Sequence, residues 1–470
     1  MKKIYNKFLV AAVLLSSLQG CKKLTDLKPT DLITEDVIFQ TVEDVEKGLY
    51  GVYGSLDGVN TMILNAAISD EVKLSNENRG QAQPVFKWQY FASDSEGDEA
   101  LAGWFGYYAV IGIANKILLK IDAIPATTTA EQERKARIKG ELLAIRAFAH
   151  FELLQRYSAR YSDAGLGIPY TTGSDVSAKP ARLTMKQVVD LINQDFTDAL
   201  SAPIPVAPVS APNVGIIRLS KAAIEGFRAR VALYKRDYDN AITYANNCLS
   251  QSGIGLSDRI TFSSIWSDDS ENEILFKLRR NGISVGQLWQ DLNGDVFYEP
   301  SDKLKSKFDK ANDIRWDAYF LNDPGAEDTS LVFKFYASSR GSKIVDIKML
   351  RVSEMYLILA EAYAEKDDLV NAAKWYNDLR RARIEPYTDD VFISKADGVE
   401  KVMDERFREL CFEGFRYFDL KRRGLPIERL ASDVQSANWQ TLPVSNFRMV
   451  LPIPRASLQS NPNMIQNPNY

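Results

Sequence analysis

One helical hairpin constrains this chain more than any other stretch: EMYLILAEAYAEKDDLVNAAKWYNDLRRAR, residues 354–383. Apolar residues recur three and four apart, the pattern of a helix with one buried face. Tyr356-x-x-Leu359-Ala360-x-x-Tyr363, followed by Ala372-x-x-x-Tyr376, has the spacing of a tetratricopeptide repeat. Small side chains at Ala360 and Ala372 allow two helices to approach closely, while Tyr363 and Tyr376 fill the gap between them. A second pair is written in SKAAIEGFRARVALYKRDYDNAITYANNCL (220–249), broken at Lys235–Asp237. Ala241 holds there the place that Ala372 holds 131 residues later. The repeats are therefore interrupted, and a simple solenoid is excluded. ELLAIRAFAHFELLQRY (141–157) adds another apolar-periodic helix. The expected fold is mostly α, with tetratricopeptide-like helical pairs, long irregular loops and little β structure.

The interruptions are of different composition. Residues 60–100 are rich in Asn, Gln, Ser, Gly and Asp, with Trp88 and Tyr90 among them. SAPIPVAPVSAPNVG (201–215) alternates proline with small residues, which forbids helix and favours an extended loop. Residues 281–298 carry three glycines beside Trp289, Phe297 and Tyr298. Long loops on a rigid scaffold are where binding usually resides.

The N-terminus carries an address. Lys2, Lys3 and Lys7 precede the apolar run FLVAAVLLSSL (8–18), which is too short to span a bilayer that needs about 20 helical residues. A small residue, Gly20, and then Cys21 complete a pattern similar to the lipobox of bacterial lipoproteins, so cleavage before Cys21 and its acylation are expected. Loss of residues 1–20 removes three lysines and moves the formal charge from −4 to −7, a poor match for nucleic acid. Cys248 and Cys411 fall in apolar helical patterns and read as buried small hydrophobes, not as a bridge.

The chain is poor in catalytic signals. It has one histidine, His150, set among apolar residues at helical spacing, and it reads as a packed structural group. A histidine-based triad, an HExxH zinc site and a Cys/His metal cluster are thereby disfavoured. A glycosidase needs only two carboxylates, and no local arrangement of the 62 acidic residues marks such a pair. In ERFRELCFEGFRYFDLKRR, Glu405, Arg406, Arg408, Glu409, Glu413, Arg416, Asp419 and Arg422 alternate in sign, which predicts helix-stabilising ion pairs. Lys421 to Arg423 precede Gly424, as expected of positive charge at a helix C-terminus. Trp104, Tyr108, Ile111 and Asn115 form a stripe that reads as core.

Several blocks carry a resemblance. RVSEMYLILAEAYAE, YNDLRRAR, ERFRELCFEGFRYFDLKRRG and the terminal LPIPRASLQSNPNMIQNPNY resemble the SusD/RagB family of outer-membrane nutrient-binding lipoproteins. GLYGVYGSL (48–56), IRAFAHFELLQRYSARYSDAGLGIPY (145–170) and YEPSDKLKSKFDKANDIR (298–315) match in the family's order. The resemblance implies a cell-surface lipoprotein, lipid-anchored to the outer membrane and facing outward. It would capture oligosaccharides, or peptides in some relatives, and deliver them to a partner TonB-dependent (SusC-like) transporter. It implies no catalysis and no cofactor. A surface-anchored glycoside hydrolase and a structural lipoprotein remain the alternatives. Residues 1–20 form the signal, 21–230 an N-terminal SusD-like region and 231–470 a C-terminal RagB/SusD region, together one globular unit.

Sugars present an apolar C–H face and a rim of hydroxyls, so their capture calls for flat aromatics beside amides and charged donors. Two loops have that composition: RGQAQPVFKWQY, with Arg79, Gln81, Trp88 and Tyr90, and NGISVGQLWQDLNGD, with Asn281, Gln287, Trp289 and Asn293. Trp88 and Trp289 read equally as stacking surfaces or as hydrophobic plugs beneath their loops.

Overall fold

The computed structural model describes residues 38–56, 58–92, 98–280, 289–290, 293–320, 331–335, 340–341 and 344–470. Cys21, Asn281 and Gln287 lie outside them. Helices dominate: α1 (Val42–Ser55), α2 (Gly58–Ile68), α3 (Asp98–Ile121), α4 (Thr129–Tyr157), α5 (Met185–Ser201), α6 (Lys221–Lys235), α7 (Tyr238–Ser252), α8 (Val352–Glu365), α9 (Leu369–Arg381), α10 (Lys395–Glu409) and α11 (Arg416–Arg423). The strands form three two-stranded antiparallel ladders: β1 (Val72–Leu74) with β3 (Tyr298–Pro300), β2 (Ile274–Leu278) with β4 (Ile347–Arg351), and β5 (Ile427–Glu428) with β6 (Thr441–Leu442). Among the described residues no helix is long and apolar enough to cross a membrane.

The repeat is local chemistry written twice. In both helical pairs the turn places one residue in the left-handed region, Arg236 and Asp367, each at φ 64°. An aspartate then caps the second helix: Asp237 accepts from the Asn240 N–H and Asp368 from the Asn371 N–H. Each asparagine side chain donates back to its aspartate, at 2.9 and 2.7 Å. The shared D-x-x-N-A signature thus satisfies orphan donors of the helix start and ends on the buried alanine, Ala241 or Ala372. Gly226 allows the close approach within the first pair, since a Cβ there would meet Leu350 Cδ2 at 2.6 Å and Cys248 Sγ at 3.2 Å.

α7 packs on α8 although about a hundred residues separate them. β2 pairs with β4, and the β2–β4 ladder leads straight into α8. Ala360, Ala372, Tyr376, Leu357 and Phe392 form one buried cluster, so the small residues do face a closed gap. The main core runs from Val42 to Ile453 and joins all the helical pairs. Residue 230, the expected boundary between two regions, lies within the unbroken helix α6.

The expectation of one long loop over 60–100 is corrected: α2 extends to Ile68 and β1 follows, because Met62, Ile63, Leu64, Ala66, Ala67 and Ile68 are all buried. The 201–215 segment is non-helical after Ser201, as its prolines require. Cys248 and Cys411 are buried free thiols. His150 is fully buried and stacks on Tyr170 with ring centroids 3.8 Å apart. Its Nε2 accepts from the Thr171 N–H at 3.1 Å, so Nδ1 carries the proton and donates to the Arg146 carbonyl at 2.9 Å. Burial pulls its pKa down to about 3, and the ring is neutral. Asn115 likewise serves the scaffold, accepting from Arg146 and donating to Thr171 and Gly173 carbonyls.

Candidate binding platform

The two loops singled out by composition meet in space. β1 and β3 pair at their base, with Val72 opposite Pro300 and Leu74 opposite Tyr298. Beyond the ladder, the Ser75 N–H donates to the Phe297 carbonyl. The Asn78 side-chain amide donates to the carbonyls of Phe297 (2.9 Å) and Gln81 (3.1 Å). The Val296 N–H donates to Glu77 at 2.7 Å, and the Tyr298 hydroxyl to the Gln81 carbonyl at 2.8 Å. Arg79 and Asp295 form an ion pair across the seam. Segments more than two hundred residues apart are thus zipped into one rim, on which Arg79, Gln81 and Asn293 are exposed.

The aromatic residues do something else. Trp88, Tyr90 and Trp289 are 4%, 0% and 1% exposed; of the two readings open for the tryptophans this burial supports the hydrophobic plug, and Tyr90 is buried with them. The Trp88 indole N–H donates to the Ile68 carbonyl at 2.9 Å, and its ring lies 4.3 Å from the Arg429 guanidinium carbon. Tyr90 donates its hydroxyl to the Arg448 carbonyl. Trp289 packs edge-on against Phe412 at 5.6 Å. Trp88 holds φ 54° and Ala82 φ 48°, a conformation costly for side chains with a Cβ. Such strain persists only where surrounding contacts over-determine it and is concentrated at functional segments.

Arg429 was missed because nothing in PIERLASD marks it. It lies buried between Phe86 and Trp88 and donates to the carbonyls of Ala67, Ile68, Ser69, Phe86 and Trp439. Three of these carbonyls are at or just beyond the C-terminus of α2, where a cation completes groups the helix leaves unpaired. Burial pulls its pKa down to about 9, which leaves it charged at neutral pH.

Chemically the described rim is a set of hydrogen-bond donors and acceptors. Among the described residues no group of three or more His, Cys, Asp or Glu could hold a metal. Glu77 and Asp295, the carboxylates of the seam, are engaged by the Val296 N–H and by Arg79.

Beneath the platform sits a carboxyl with one partner. Glu71 is fully buried, accepts from the Phe412 N–H at 3.2 Å, and has Oε2 unsatisfied. Burial pushes its pKa up to about 8; the Phe412 N–H opposes this and the neighbouring Asp70 charge adds to it. Asp70 is paired with Arg416 and Lys303, and Lys334 nearby is paired with Glu413, so none of the three cations is paired with Glu71. A raised folded-state value gives stability that is complete below the unfolded value near 4.5 and lost as pH climbs to about 8. Glu71→Gln, which keeps the shape and removes the titration, should therefore melt close to wild type at pH 4.5. By pH 8 it should be more stable, on the order of 3–5 kcal/mol. Melting curves from pH 4.5 to 9 test this; parallel profiles for the two proteins would refute it.

A model of the SusD family matches residues 286–470, and a second, described as starch-binding associating with outer membrane, matches 26–233. The chain belongs to the SusD/RagB family. A SusD-like protein of Formosa agariphila is 23% identical, with the whole of both chains covered. A crystal structure titled as a putative sugar-binding protein of Bacteroides vulgatus superposes with a TM-score of 0.78 at 24% identity, over 92% of this chain and 99% of its own. A SusD superfamily protein of Bacteroides thetaiotaomicron gives the same score and identity over 91% and 100%. The mostly helical fold with tetratricopeptide-like pairs expected from the hairpins is the one found, and the SusD fold that the resemblance implied is that of these structures.

Proposed function

We propose that this SusD/RagB protein is a non-catalytic lipoprotein of the outer membrane that captures an oligosaccharide outside the cell and passes it to a TonB-dependent transporter. The observation that carries the reading is the rim: two long loops from distant parts of the chain, locked edge to edge on rigid helices, presenting Arg79, Gln81 and Asn293 to solvent. Guanidinium and amide donors in fixed positions suit a hydroxyl-rich ligand, and buried aromatic plugs keep the rim from collapsing. Family membership and a neighbour titled as sugar-binding support the same reading.

Anchoring is assigned to Cys21 and an outward orientation follows from the role. Mild-detergent extraction from the native membrane should yield the chain acylated on its N-terminal cysteine, together with a large membrane transporter. Interfaces of such stable pairs exceed roughly 2,000 Å² and survive gentle extraction. The purified chain should retard labelled glycans without shortening them. Shortened glycans would assign it to the hydrolases instead, and an unacylated, solitary chain would overturn the anchored-capture reading.

A further inference from the structure

The segment Asn446–Leu451 is fastened more heavily than a surface turn requires. Three consecutive carbonyls each accept a phenol: Arg448 from Tyr90, Met449 from Tyr417 (2.9 Å) and Val450 from Tyr470 (2.9 Å). Asn446 caps the turn by accepting from the Arg448 N–H at 3.0 Å, and the Leu451 carbonyl accepts from Asn467 at 2.7 Å. Tyr90 and the terminal tyrosine of QNPNY thus share a task, to hold this backbone still.

What the fastened backbone presents is a guanidinium between two rings. The Arg448 Cζ lies 5.1 Å from the Phe91 ring centre and 4.7 Å from that of Phe447, which is itself buttressed edge-on by Tyr470 at 4.8 Å. Among the described residues its guanidinium has no carboxylate and no hydrogen-bond acceptor, and Nε is buried without a partner. Arg79 and Arg381, more exposed, are both ion-paired. Phe91 is 47% exposed, and the adjacent Arg455, held to this loop by its N–H bond to the Ala92 carbonyl, is exposed as well.

A planar guanidinium fixed by stacking keeps its donor edge free, and that edge matches the two oxygens of a carboxylate or sulfate. An exposed phenyl beside it offers a surface for the C–H face of a pyranose. We infer that Phe91, Phe447 and Arg448 form an anionic-sugar subsite, taking a glycan residue that bears a carboxylate or a sulfate ester. The inference rests on the capture function proposed above and narrows its ligand class. Tyr90, Tyr417 and Tyr470 are positioning residues that hold the Arg448 backbone before the ligand arrives.

Calorimetry on the full chain in detergent tests this with three probes: trigalacturonic acid, its fully methyl-esterified form and a sulfated galactan tetrasaccharide. At least one charged probe should bind tenfold or more tighter than the ester, and which one does identifies the anion. Arg448→Met, which keeps an apolar stem between the rings, should erase that preference and leave the melting temperature unchanged. Arg448→Lys, which keeps the charge but not the fork, should lose most of it and guards against misfolding of the first variant. Equal binding of charged and uncharged probes, or a preference that survives both variants, would overturn the subsite. Retained binding of neutral glycans in that case leaves the capture function standing; an array in which no glycan binds removes both.

Discussion

Glu409→Ala is expected to be among the most damaging single truncations in the chain, costing about 3–5 kcal/mol, because it strands buried charge. The Glu409 carboxylate accepts from Arg315 (3.0 Å), Arg351 (3.0 Å) and Arg383 (3.1 Å), and all four side chains are essentially inaccessible. Glu405 pairs with Arg315 and Arg380, Glu273 with Arg351 and Arg383, and Glu413 with Arg351 and Lys334, so the network is continuous. Removing the shared acceptor leaves three guanidiniums crowded with less compensation. Burial raises the Glu409 pKa, but Arg383, Arg351 and Arg315 outweigh it and hold the carboxyl well below the usual range. A depressed value gives stability that is present above about pH 4.5 and lost on acidification. Glu409→Gln should therefore be destabilised at pH 7 and converge on wild type as pH falls. Chemical denaturation at pH 7 and pH 3.5 checks both statements; a loss under 1 kcal/mol for the alanine variant would contradict the network's role.

Arg429→Met should be nearly as damaging, about 3–5 kcal/mol, and, on the proposed capture role, should weaken glycan binding. Methionine fills the slot between Phe86 and Trp88 but takes the guanidinium donor from the carbonyls of Ala67, Ile68, Ser69, Phe86 and Trp439, of which Ile68 keeps the Trp88 indole. A buried acceptor stripped of its partner costs about 1–3 kcal/mol, with partial relief where water enters. Arg429→Lys should recover little, since one ammonium cannot reach carbonyls arrayed around a planar fork. Thermal melts, with tryptophan fluorescence reporting on Trp88, make the measurement. Unchanged melting and emission would show that the platform does not depend on this residue.

The hairpins were legible because their information is local. Asp237 and Asp368 cap within four residues, Ala241 and Ala372 follow immediately, and the left-handed turn residues sit between. The interruption between the pairs was legible too, as a gap of 131 residues between equivalent alanines. The charged block was legible only in part. Arg408–Glu405 and Arg422–Asp419 are the helical pairs its spacing predicts. Partners from other elements are Asp70, Arg315, Arg351, Arg380, Arg383, Lys334 and Glu361. Lys421 caps α4 by donating to the Gln155 and Arg156 carbonyls, where the spacing had placed it on its own helix end.

Composition located both loops of the platform but left Trp88 and Trp289 open between stacking surface and plug. By itself the sequence determined helix periodicity, caps, turn positions and where polar loops interrupt them, since each depends on residues within about one turn of one another. Only the tertiary structure decided that Arg79 would face Asp295, that Trp88 would cover Arg429 and that Tyr90 would hold Arg448. Whether an indole stacks on a ligand or plugs a loop depends on what a segment hundreds of residues away places beneath it. A buried guanidinium that needs a ring face and five carbonyls leaves no trace in the spacing of its neighbours.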